Sequence, residues 1–169
     1  MSKRIRYVAH AAIIAALYTV LTHAQNLLLP GSASWAIQCR LSEALCVLAL
    51  FTPAAIPGLS VGCLLFNLTF SPALPLDFLL GTLATFLAAS SMWAMRRRLT
   101  VGGYPLLALL MPALFNGVLV GWELTVYIGG AFLINGLYVA LGELIVLLVF
   151  GSVLYRIIKK RNLDKRIFQ

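Results

Sequence analysis

Twelve of the thirteen Lys and Arg residues fall in three short clusters, and the stretches between them are almost purely apolar. The clusters are Lys3/Arg4/Arg6, Arg96/Arg97/Arg98 and Arg156/Lys159/Lys160/Arg161/Lys165/Arg166. Arg40 alone stands outside them. Short loops on the cytoplasmic side of a membrane carry excess Lys and Arg. If all three clusters are cytoplasmic, an even number of crossings separates each from the next. Arg40 is then the single cation on the outer side.

Composition agrees with lipid as the solvent. The 169 residues are 62% hydrophobic and 11% charged, against about 25% charged in a soluble domain. The net charge of +8 is gathered at helix ends, where it serves as a topology signal and a contact for anionic headgroups rather than for nucleic acid. Cys39, Cys46 and Cys63 form no Cys-x-x-Cys pair and have no paired histidines nearby, so no metal site is expected. The first apolar stretch runs from Ile5 to Pro30 without a small-x-small cleavage site at its end. It reads as a retained helix rather than a signal peptide.

A crossing takes about 20 apolar residues, fewer where the bilayer thins. The pattern predicts an all-α membrane protein, one integral domain over residues 1–169, with six transmembrane helices near 5–27, 41–51, 55–70, 76–95, 104–122 and 134–158. Proline breaks helices, so Thr52-Pro53-Ala54 and Ser71-Pro72-Ala73-Leu74-Pro75 are turns. The second helix is short: eleven residues of α-helix rise only about 16 Å. Parity keeps it as a crossing, because without it the Arg triplet falls on the opposite side from both termini. Both termini are therefore expected in the cytoplasm, with the chain in the bacterial cytoplasmic membrane.

The outer halves of these helices hold most of the polar residues: Gln25, Asn26, Gln38, Arg40, Glu43, Asn67, Asp77, Asn116, Glu123 and Asn135, with Glu143 about two turns into the last helix. Ionisable groups in a bilayer cost several kcal/mol and usually face a protein-lined cavity. Trp35, Phe66, Phe70, Trp122, Tyr127, Phe132 and Tyr138 lie at similar depth. Hydrogen-bonding groups mixed with flat aromatics suit a small planar polar ligand. Other roles stay open at this stage. Trp35 and Trp122 also fit an interfacial belt. Arg40 and Glu43, three apart, also fit a pair on one helix face. Asn67, Asn116 and Asn135 also fit interhelical hydrogen bonding. His10 and His23 stand alone and read as structural.

Small residues recur at helical spacing. The first helix carries Ala11-Ala12-x-x-Ala15-Ala16, Gly58 and Gly62 lie in the third, and Gly117 and Gly121 in the fifth. Such residues let backbones approach closely. The glycines read as packing within the bundle. The alanines fit equally a dock for another membrane protein. No Gly-x-x-x-x-Gly-Lys-Ser/Thr loop, His-Glu-x-x-His or Gly-x-Ser-x-Gly run is present, so this chain has no sequence basis for hydrolysing ATP or for enzymatic chemistry. Active transport would draw energy from a partner or an ion gradient.

The chain resembles the QueT-type substrate-binding (S) components of energy-coupling factor transporters. The resemblance rests on Gln38-Cys39-Arg40-Leu41-Ser42-Glu43-Ala44-Leu45, on Phe51-Thr52-Pro53-Ala54-Ala55-Ile56-Pro57-Gly58-Leu59, and on Gly62-Cys63 with Asn67. Phe115-Asn116-Gly117 with Glu123, and Tyr138-Val139-Ala140-Leu141-Gly142-Glu143, extend it over nearly the whole chain. It implies a six-helix S-component bundle that captures a queuosine precursor, a 7-deazaguanine base, from outside. It also implies partners: a transmembrane coupling subunit, docked through Ala12 and Ala16, and two ATPases. No cofactor is implied.

The residues accommodate such a base. A guanine-like edge presents an N1–H and an exocyclic amine that one carboxylate accepts together, and its carbonyl needs a donor. Some precursors carry an aminomethyl cation, which favours a further carboxylate. Glu123 and Glu143 are expected to read the base and its amine. Asn67, Asn116 and Asn135 are expected to orient it, and Trp122 or Tyr138 to stack on it. Arg40 and Glu43 are expected to close or shape the outer mouth, and Gln38 is expected among the substrate-binding residues. The competing readings are an S component for another vitamin, and a stand-alone ion-coupled carrier using Glu143 or Asp77 as a relay.

Overall fold

The computed structural model describes residues 2–30, 32, 39–70, 73–98, 100–101 and 104–168. The expected contributions of Gln38 and Trp35 lie outside the described residues. Helix α1 spans Lys3–Leu28, with the Ser2 hydroxyl accepting from the Ile5 amide at its start. A 3-10 segment, Leu41–Leu50, follows, then α2 (Ala55–Thr69) and α3 (Asp77–Met95). A two-residue antiparallel ladder, β1 (Thr100–Val101) with β2 (Tyr104–Pro105), leads to the short α4 (Leu106–Leu109) and α5 (Met111–Tyr127). Helix α6 (Phe132–Val146) continues through a π turn, Leu147–Gly151, into α7 (Ser152–Lys160), and α8 (Leu163–Ile167) closes the chain.

Four stretches are long and apolar enough to cross a membrane: Lys3–Leu28, Asp77–Met95, Leu106–Tyr127 and Phe132–Lys160. The chain is a multi-pass membrane protein. Of the two shorter apolar segments, the first differs from the expectation in geometry. Residues 41–50 wind as a 3-10 helix, whose rise of about 2 Å per residue carries ten residues across about 20 Å. The same residues as α-helix reach only about 15 Å. This segment is also buried on nearly every side, by α1, α2, α3, α6 and α7. Surrounded by protein, it is not required to match the lipid thickness.

Glycine sets the helix spacing where the sequence suggested it would. A Cβ at Gly58 would lie 2.8 Å from the Ala11 carbonyl, and one at Gly62 would lie 2.7 Å from Tyr18 Cβ, so α2 and α1 are in backbone contact. A Cβ at Gly121 would lie 2.5 Å from the Gly136 Cα, which brings α5 equally close to α6. The α5–α6 turn uses Gly129 and Gly130 at φ 94° and 90°, a region that residues with a Cβ rarely enter.

All three basic clusters meet at one end. Arg96, Arg97 and Lys159 line a cavity of about 350 Å³ together with Phe51, Trp93, Tyr155 and Asp164. Lys3 and Arg6 line a second one beside Pro53 and Phe168. The two termini are therefore neighbours. The main apolar core lies toward this end, built on Val47, Leu50, Leu59, Met92, Leu109, Leu147 and Ile158.

Candidate functional site

The opposite end is polar inside. Arg40 ends the segment before the 3-10 helix and is 5% exposed. Its guanidinium donates to Asp77 Oδ2 at 3.4 Å and lies 5.6 Å from the centre of the Phe66 ring. Asp77 opens α3, and its main-chain carbonyl accepts from Asn67 Nδ2 at 2.8 Å. Gly81 makes room for this pair, because a Cβ there would lie 2.9 Å from Asn67 Nδ2 and 3.2 Å from Asp77 Oδ1. The aromatic layer continues from Phe66 to Phe70, stacked at 5.0 Å, and to His23, edge-on at 4.9 Å.

Glu43 sits one 3-10 turn beyond Arg40, on the same face, since residues three apart eclipse in that geometry. One of its carboxylate oxygens accepts from the Tyr18 hydroxyl, and the other from Cys46 Sγ at 3.1 Å. Gln25 pins the start of the segment: Oε1 accepts from the Leu41 amide at 2.7 Å, while Nε2 donates to Ser32 and to the Cys39 carbonyl. Thr22 donates to Ser42 Oγ at 2.7 Å or to the Tyr18 carbonyl at the same distance. The polar face of α1 (Tyr18, Thr22, Gln25) thus holds the 3-10 segment in place.

Glu123 is 0% exposed, and neither of its carboxylate oxygens makes a close hydrogen bond, the Leu76 main-chain N–H acting on it only weakly. The charges of Asp77 and Arg40 both act on it. Glu143, also buried, has Oε2 without a partner and feels Glu43 and Arg40. Asn116 lies seven residues before Glu123, on the same face of α5, with its Nδ2 buried and unpartnered. Asn67 Oδ1 and Asp77 Oδ1 are likewise without partners. Buried polar groups are nearly always hydrogen-bonded. Several of them are unpaired at this end of the bundle.

The sequence-based set divides accordingly. Arg40, Glu43, Asn67, Asn116, Glu123 and Glu143 are all buried; contact or charge ties Arg40, Glu43, Asn67, Glu123 and Glu143 to one cluster, and Asn116 shares the α5 face of Glu123. Asn135 is engaged elsewhere: its Nδ2 donates to Thr125 Oγ1 at 3.0 Å and to the Gly129 carbonyl at 2.9 Å, tying the α5–α6 turn. Trp122 and Tyr138 are 48% and 42% exposed, so their rings lie on the bundle surface, whereas Phe66 is buried beside Arg40. Tyr18 was absent from the expected set, while Gln25 and Asp77 were counted among the outer polar residues without a place in the binding site. Tyr18, Thr22 and Gln25 recur at steps of four and three on an apolar helix, and that stripe was the available signal.

The family model of the QueT transporter matches residues 8–160. The chain belongs to the QueT transporter family. It is therefore a transport protein of the membrane rather than an enzyme, and the buried cluster belongs to a QueT-family bundle. No curated protein and no solved structure matches it.

Proposed function

We propose that this QueT-family chain is the substrate-capturing subunit of an energy-coupling factor importer, and that the buried cluster holds a 7-deazaguanine precursor of queuosine. The observation that carries the reading is the set of buried polar atoms without a close hydrogen-bond partner on Asn67, Asn116, Glu123 and Glu143, contributed by α2, α5 and α6. Glu123 and Glu143 accept from the N–H groups of the base, Asn116 Nδ2 donates to its carbonyl, and Asn67 orients it. Phe66 offers a flat face, and the Arg40–Asp77 pair with Glu43 shapes the mouth.

In this reading six segments cross the membrane. The basic end, with both termini, faces the cytoplasm by the excess of Lys and Arg there, and the cluster opens outward. Energy comes from partner ATPases through a coupling subunit. The two alanine stripes of α1 support a dock on its outer face. Ala11 and Ala15 pack against Gly58 and Gly62 inside the bundle, whereas Ala12 and Ala16 are exposed. Small exposed residues let a second helix approach closely.

Calorimetry on the purified chain against queuine and its 7-deazaguanine precursors, with guanine, thiamine and riboflavin alongside, tests the substrate. Sub-micromolar binding of a deazaguanine with the vitamins silent is the expected result. Binding of riboflavin or thiamine instead would reassign the substrate. Ala12→Trp with Ala16→Trp is expected to leave this binding intact and abolish uptake by vesicles containing the partner subunits.

A further inference from the structure

The cations at the basic end are arranged more closely than topology requires. An excess of Lys and Arg on one side orients helices wherever those side chains point. Here they converge on one cavity of about 350 Å³, within the range of small-ligand pockets, roughly 300–1,000 Å³. The end of α3 and the turn after it bring Trp93, Arg96 and Arg97 to its wall. Phe51 comes from the end of the 3-10 segment, Lys159 from α7 and Asp164 from α8.

Two of these cations are held in place by aromatic rings. The Arg96 guanidinium carbon lies 3.5 Å from the centre of the Trp93 ring, and Nη1 donates to the Trp93 main-chain carbonyl. That fixes the plane of a fork whose further N–H groups match the oxygens of a phosphate. Lys159 Nζ lies 5.3 Å from the centre of the Phe51 ring, which itself lies 5.3 Å from the Tyr155 ring. Among the described lining residues, three cations face one carboxylate, Asp164. Asp164 lies 3.0 Å from Lys159, so the excess of positive charge falls on Arg96 and Arg97.

From this we infer that the cavity is a binding site for a phosphate group, the headgroup of an anionic phospholipid in the adjoining leaflet. Basic pockets between membrane helices suit such headgroups, and Trp and Tyr rings sit well at headgroup level. The surroundings favour a lipid over a soluble phosphate. Val153 and Ile157 on α7, and Leu106 and Leu110 just after the lining residue Pro105, are exposed apolar side chains. An acyl chain attached to the headgroup has that surface to lie on, and a free phosphate gains nothing from it. The inference is independent of the substrate at the other end and of the side on which the basic end lies.

The test is native mass spectrometry of the full chain in detergent, titrated with phosphatidylglycerol and with phosphatidylcholine. Both carry the phosphodiester, and only the first has a net negative charge. A cation near a membrane surface contributes about fivefold in affinity for anionic lipid, so phosphatidylglycerol is expected to bind roughly tenfold more tightly or better. Arg96→Gln with Arg97→Gln is expected to erase that preference. Arg161→Gln with Lys165→Gln removes the same charge from exposed residues off the cavity, and is expected to retain it. Equal binding of the two lipids by the unmodified protein overturns the inference whether or not the variants fold. Equal loss in the two double variants also overturns it, since net charge then explains the preference. Displacement of phosphatidylglycerol by inorganic phosphate at matched concentration would assign the cavity to a soluble anion and end the lipid reading.

Discussion

The two ends of this bundle treat positive charge in opposite ways. At one end Arg96, Arg97 and Lys159 crowd around an open cavity, with Arg97 and Lys159 exposed and Arg96 half-buried on the Trp93 ring at 3.5 Å. Water and salt screen such charges, and each contributes little to the fold. At the other end Arg40 is buried beside four buried carboxyls. In that low-dielectric setting the same type of side chain organises everything near it. Location rather than residue type decides whether a cation lines a wet, screened cavity or organises a buried cluster.

Arg40→Leu is the most severe way to break the contrast. It leaves the buried carboxyls without their cation, and removing one partner of a buried pair costs about 3–5 kcal/mol. A large fall in thermal midpoint in detergent and loss of ligand binding are expected. A variant as stable as the parent would show that the carboxyls are held neutral. Glu143→Gln is next. It should weaken binding at least tenfold, about 1.4 kcal/mol, with the fold retained. Unchanged affinity in a calorimetric titration would remove Glu143 from the site.

At the basic end the effects are smaller and of another kind. Replacing Arg96, Arg97 and Arg98 together by Gln should leave ligand affinity at the buried cluster unchanged. It should also mix the orientation of the adjoining helices, as read by reporter fusions at the 96–98 turn. A loss of affinity would mean that the two ends are coupled. The smallest effect belongs to Asp164→Asn. Lys159 Nζ lies 3.0 Å from the Asp164 carboxylate and is 51% exposed, so the variant should lose less than about 1 kcal/mol. The hydrogen bond from Lys159 holds the Asp164 carboxyl below its ordinary range. A depressed carboxyl contributes stability above its unfolded value and loses it as pH falls through the folded one. The difference between parent and variant should therefore vanish on acidification.

Much of the bundle could be read from the chain alone. The three basic clusters define one end, and the structure gathers them there. The glycine pairs were expected at close helix contacts and are found there. The predicted boundaries of the first, third and fourth helices lie within two residues of α1, α2 and α3. The fifth was placed from residue 104, where the chain instead makes the β1–β2 ladder and a break before Met111. Apolar content had masked that break.

Sequence by itself determined that the chain lives in lipid, which end carries the cations, and that Arg40, Glu43, Asn67, Asn116, Glu123 and Glu143 are too polar to face hydrocarbon. Those conclusions follow from the cost of transferring charge out of water, which depends on residue type and position alone. Only the tertiary structure decided that residues 41–50 wind as a 3-10 helix at the centre, because that geometry comes from contacts on every side rather than from local propensity. It likewise decided that Asp77 and Tyr18 share one cluster with Arg40 and Glu43, and that Trp122, Tyr138 and Asn135 do not. Apolar helices carry little periodic signal on which side faces protein. The direction of a side chain is therefore settled only when the neighbouring helices are in place.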